Sequence, residues 1–170
     1  PAPKAVLPEL AGAVDPADLC VPEGLDFSNY AFDLAGEPYR LSAYKRGEVI
    51  DHVDAMTIEE AEHMMATRLW QNTAKVHFDV TSRAEGNRLI YGGHVISFAR
   101  ALSFNGLAKA QMIVALNSGA HANPCFVGDN VSDWSEVLDI TQTRLPGVGA
   151  IRFRMGAQKK QAGQGPLRGE

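Results

Sequence analysis

The sequence predicts an α+β fold, a curled antiparallel sheet wrapped around one central helix. Three features point to it. Residues 95–104 put Val95, Phe98, Ala99 and Leu102 at helical spacing, and Ile96, Ala101 and Phe104 make the remaining surface apolar too. A helix that is apolar nearly all round is one that a fold encloses. Residues 149–155 alternate, with Ile151, Phe153 and Met155 on one face and Arg152 and Arg154 on the other, as in an antiparallel strand with one wet face. Along the chain come one strand, one short helix, the enclosed helix and then several strands.

The elements follow in order. Residues 1–24 carry Pro1, Pro3, Pro8, Pro16 and Pro22 and read as an extended linker. Residues 25–158 form the domain. Its first part, with Phe27, Tyr30, Phe32 and Tyr39, reads as irregular chain packing its aromatics on the rest. Residues 49–56 predict a strand. Thr57-Ile58-Glu59-Glu60 has the pattern of a capping box, opening a helix whose face is Ile58, Ala61, Met65 and Leu69. Residues 81–87 read as a loop. Gly92-Gly93 opens the central helix, and Asn105-Gly106 ends it in a left-handed C-cap. Residues 111–116 and 131–141 predict strands, with Asn123-Pro124 as an interruption and Gly128-Asp129 as a turn. Residues 159–170 read as a mobile tail. A start at Pro1 and a loop-like finish predict a piece of a longer polypeptide, cut at both ends.

Composition narrows the function. The chain has 170 residues, 45% hydrophobic and 21% charged, which fits one globular domain. A net charge of -4 without a basic stripe argues against a nucleic-acid partner. No run is long enough to cross a membrane as a helix. Cys20 and Cys125 stand far apart, which favours a reduced, cytoplasmic protein. His52, His63, His77, His94 and His121 show no metal-binding spacing, so no metal site is expected.

Chemistry concentrates in Gln71-Asn72-Thr73-Ala74-Lys75-Val76-His77-Phe78-Asp79, a polar cluster that a surface helix does not need, and in Gly92-Gly93. The free amides at a helix start attract a carbonyl or oxyanion. His94 and the segment His121-Ala122-Asn123-Pro124 could also border such a site, or serve as a helix-start hydrogen bond and a strand-breaking turn. A curled sheet around one helix is the hotdog architecture. Residues 72–79 followed by Ile90-Tyr91-Gly92-Gly93 resemble the MaoC-like (R)-specific enoyl-CoA hydratases, whose motif runs Gly-Asp-x-Asn-Pro-Leu-His-x-Asp, with an apolar-His-Gly segment further on. His77 takes the place of the motif histidine, Asp79 that of the final aspartate and Gly93 that of the helix-opening glycine. Asn72 stands for the catalytic aspartate, Ala74 for the asparagine, Lys75 for the proline and Gly92 for the histidine before glycine.

Residues 70–79, 89–107, 121–125 and 134–139 are similar to the second half of the mesaconyl-CoA hydratases (β-methylmalyl-CoA dehydratases). The Pro-rich start resembles the connector between that family's two hotdogs. The resemblance implies syn addition of water to a branched, dicarboxylic enoyl-CoA. It also implies a second hotdog half as partner and no cofactor, coenzyme A being part of the substrate. Such a reaction needs a base, an acid and dipoles at the thioester oxygen. His77 is the base candidate, since imidazole accepts and donates protons near neutrality. Asn72 can orient water or His77 but cannot act as a base. Asp79 is the nearest second ionisable group, or a brace. Gly93, with Gly92 beside it, would supply the oxyanion donor. Lys75, Arg83, Arg88 and Lys109 are available for coenzyme A phosphates, with nothing to choose among them. Two other readings remain open. One is a hotdog thioesterase, although residues 93–104 carry no carboxylate for one. The other is a non-catalytic half that supplies dimer surface and coenzyme A contacts.

Overall fold

The computed structural model describes residues 9, 11–34, 36 and 39–163. The expected linker falls partly outside these residues, and so do the last seven residues of the expected tail. Three strands form one antiparallel sheet in the order β1-β2-β3: Val49–Thr57, Asn130–Gln142 and Gly149–Lys159. Helix α1 spans Glu60–Leu69, α2 spans Gly92–Leu102, and a short turn of helix, α3, covers Phe104–Leu107. The chain is therefore α+β, with its long helix against a sheet.

Valine, isoleucine and tryptophan make β2 and β3 good pleated strands, and their pairing runs from Val131 opposite Lys159 to Gln142 opposite Gly149. Strand β3 thus reaches Lys159, past the point where the sequence predicted the domain to stop. β1 is bulged between Asp51 and Ala55. Val53 has φ 65° there, and the Asp51 carboxylate accepts its amide proton at 2.8 Å, holding the bulge. The core gathers Ile58, Ile90, Phe98 and Val131, with Val95 and Cys125 packed against it.

Helix α2 presents His94, Phe98, Ala99 and Leu102 to the core. It ends at Leu102, earlier than the sequence predicts; the expected left-handed break follows inside α3, where Asn105 leaves helical geometry and Gly106 takes φ +99°. The enclosure is one-sided, however. Ile96 and Phe104 are 50% and 56% exposed, so among the described residues the sheet covers only one side of the helix.

Three further expectations change. The capping box does not form. Thr57 is the last residue of β1, where its hydroxyl meets Asn130, and the N-cap, Glu59, makes no side-chain hydrogen bond. Glu60 pairs instead with Arg88. Because the helix starts at Glu60, its buried stripe is His63, Ala66 and Thr67, leaving Met65 and Leu69 exposed. Residues 111–116 form no strand. No described strand lies beside them, and the segment is held by side chains instead. Gln111 donates to the Tyr30 hydroxyl, and Asn117 accepts the Val14 amide proton.

Candidate active site

The segment after α1 is built to carry an imidazole. Asn72 accepts the amide proton of Ala74 at 3.0 Å, an Asx turn that redirects the chain. A single 3-10 turn, Lys75–His77, follows. Two bonds clasp this turn to the strand-like run before α2. The Val76 carbonyl accepts the Leu89 amide proton at 3.0 Å, and the Leu89 carbonyl lies 2.8 Å from His77 Nδ1. A carbonyl can only accept, so Nδ1 carries the proton and Nε2 is left with a lone pair. That is the tautomer a general base needs.

Asp79 faces its own turn. Its carboxylate accepts from the Thr81 amide at 3.0 Å and the Thr81 hydroxyl at 2.6 Å. The Thr81 hydroxyl, then its amide, hold this carboxyl below the usual carboxylate range. Asn72 and Asp79 thus shape the loop at its two ends, with His77 between them.

Helix α2 begins at Gly92 after the N-cap Tyr91, which gives the first turn no side-chain hydrogen bond. Both glycines are needed for close approach. A Cβ on Gly92 would overlap the His121 ring, and one on Gly93 would lie 2.6 Å from Tyr91 Cζ and Oη. The Tyr91 ring therefore lies over Gly93. It also packs on His77, with centroids 5.8 Å apart, and on Trp70 at 6.2 Å. Trp70, Tyr91, Gly93 and Ser97 line an open hollow of about 290 Å³. An apolar groove between α1 and α2 adjoins it, sharing Trp70 and Ser97 and including Glu62 and His94.

Two residues of this region were not legible as site residues. His63 is fully buried, and its Nε2 accepts the Tyr91 amide proton at 2.9 Å. Burial, with His94 and then His77 nearby, pushes its pKa down to about 4, so it stays neutral. Its ring lies 5.7 Å from His94 and 6.5 Å from His77. Burial likewise lowers His94, with Glu62 opposing. Tyr91 is the second. An aromatic directly before two glycines at a helix start was the available signal for it, and the i, i+3, i+4 stripe of His63, Ala66 and Thr67 was the signal for His63. His121 packs on Gly92, so that residue of the segment 121–124 borders the helix start. Of the basic residues, Arg88 pairs with Glu60, Arg83 with Glu85, and Lys109 lies over Phe32.

The fold is that of a hotdog, an antiparallel sheet against a central helix, with the His77 imidazole packed on the Tyr91 ring at the start of that helix. The chain is 68% identical over 159 residues to mesaconyl-CoA hydratase of Cereibacter sphaeroides, covering 94% of this chain and 46% of that protein. It is 52% identical over 165 residues to beta-methylmalyl-CoA dehydratase of Chloroflexus aurantiacus, again covering 94% and 46%. The chain thus spans about half the length of the curated relatives it matches. A crystal structure of a MaoC domain dehydratase from Chloroflexus aurantiacus superposes with a TM-score of 0.85 at 49% identity, over 96% of this chain and 48% of that one. A Mycobacterium tuberculosis protein described as a double hotdog fold gives 0.57 at 21% identity, covering 98% and 51%, which bears on the fold alone. No protein-family model matches.

Proposed function

We propose that this chain is the catalytic half of a hydro-lyase that reversibly hydrates a branched, dicarboxylic enoyl-CoA, interconverting mesaconyl-CoA and β-methylmalyl-CoA. The relatives' names support the substrate. The observation that carries the chemistry is the 2.8 Å contact of His77 Nδ1 with the Leu89 carbonyl, which selects the tautomer. With Nδ1–H held by the Leu89 carbonyl, Nε2 is the ring atom that can take a proton from water. The hydroxide adds to the β-carbon, and the carbon–carbon π pair moves toward the thioester oxygen. The backbone N–H of Gly93, in the first turn of α2, stabilises that oxygen, with Gly92 allowing close approach. A proton delivered to the α-carbon completes the addition. Asn72 and Asp79 hold the His77 loop. Coenzyme A is part of the substrate, and the reaction needs no resident cofactor. A second hotdog half would cover the open side of α2, where Ile96 and Phe104 are exposed.

The test is to mix the intact protein with mesaconyl-CoA and follow both loss of the enoyl thioester absorbance and release of free thiol. Hydration without thiol release supports this reading. Thiol release would identify a thioesterase instead, although α2 carries no carboxylate to serve one.

A further inference from the structure

Hydration needs two proton-handling groups, and His77 accounts for one. Asn72 has no proton to give as an acid, and its side chain is committed to the Ala74 amide. Asp79 is bound by two donors of Thr81. His63 is fully buried, and its Nε2 is occupied by the Tyr91 amide. His121 lies against Gly92, and among the described residues no ring contact joins it to His77 as one joins Tyr91. Tyr91 lines the hollow beside Gly93. Its ring packs on His77 with centroids 5.8 Å apart, and its hydroxyl lies 2.6 Å from where a Gly93 Cβ would be. The backbone is fixed on both sides, since His63 accepts the Tyr91 amide proton and the Tyr91 carbonyl accepts that of His94 at 2.9 Å. A hydroxyl is thus held over the helix start where the thioester would sit, on a ring that packs against the His77 imidazole.

We propose that the Tyr91 hydroxyl is the proton donor to the α-carbon. This rests on the hydratase reading above. As His77 Nε2 takes a proton from water, the resulting hydroxide forms the C–O bond at the β-carbon. The π pair, held for a moment as the enolate, forms the new α-C–H bond with the proton of the Tyr91 O–H. The phenolate left behind recovers a proton from the His77 imidazolium, directly or through one water. The net change is one water added. The role is catalytic, because the donated proton ends on substrate.

The substitution Tyr91→Phe tests it, because it keeps the ring that packs on Trp70 and His77 and removes only the oxygen. In the intact protein, kcat for hydration should fall about 100-fold or more, with KM within about threefold. Run in reverse in D2O, exchange of the α-hydrogen of the hydroxyacyl-CoA should fall in parallel. His121→Ala serves as the comparison and should lose far less. A Tyr91→Phe enzyme with wild-type kcat overturns the proposal and leaves the hydratase reading standing. So does one whose loss lies in KM with α-exchange unchanged, or one less impaired than His121→Ala. A wild-type protein inert toward enoyl thioesters overturns both.

Discussion

His63 Nε2 accepts the amide proton of Tyr91 across 2.9 Å, so helix α1 holds the start of helix α2. The bond is partly buried and joins residues far apart in sequence. Removing the acceptor leaves the Tyr91 N–H without its partner and opens a cavity where the fully buried imidazole was. His63→Ala should therefore cost about 2–4 kcal/mol of unfolding free energy. Urea denaturation reads this as a lower midpoint with an unchanged slope. A loss under about 0.5 kcal/mol would show that α1 does not brace the site.

The same histidine sets a pH dependence. Its folded pKa, about 4, lies below the ordinary 6.5, so between those values the unfolded chain binds more protons than the folded one. The stabilisation from neutral His63 is complete above pH 6.5 and is lost as pH falls toward 4. The advantage of the wild type over His63→Gln should shrink across that window. Equal slopes for the two proteins would contradict it. His94, lowered by burial, acts in the same direction.

Asp133 acts in the opposite direction. It is fully buried on β2, with its Oδ2 3.6 Å from His52 Nε2, and burial pushes its pKa up to about 8 against the opposing Trp134 amide. The folded chain keeps a proton that the unfolded chain releases above 3.8, so this contribution is lost as pH rises through 8. Between pH 6.5 and 8 stability should decline, and Asp133→Asn should remove the decline. A variant that declines as steeply as the wild type would place the effect elsewhere.

Gly106 ends the helix run at φ +99°, and a Cβ there would lie 2.7 Å from Ile50 Cγ2. Gly106→Ala meets both the left-handed backbone and that methyl. It should lose about 1–3 kcal/mol, read by thermal or urea unfolding. A neutral result would mean the turn can change conformation without cost.

The parts of the fold legible in the sequence are those governed by local chemistry. The alternation in β3, the glycine pair opening α2 and the Asn105-Gly106 stop all depend on neighbours in sequence, and all appear. What was not legible depends on distant partners. Thr57 reads as a cap until Asn130 draws it into the sheet as the end of β1. Residues 111–116 read as a strand on composition, but a strand needs a neighbour to pair with. In the site, His77 stands out as an imidazole in a polar run. His63 does not, because its partner, the Tyr91 amide, is 28 residues away. Tyr91 reads as one more apolar residue before the helix until its ring is seen over Gly93.

The central claim is that His77 handles the water proton through Nε2. Its most direct test is the hydration rate of the intact protein carrying His77→Ala, with folding verified by circular dichroism. The account predicts a fall in kcat of about 100-fold or more with the fold retained. A folded variant that hydrates mesaconyl-CoA within about threefold of the wild-type rate would contradict it.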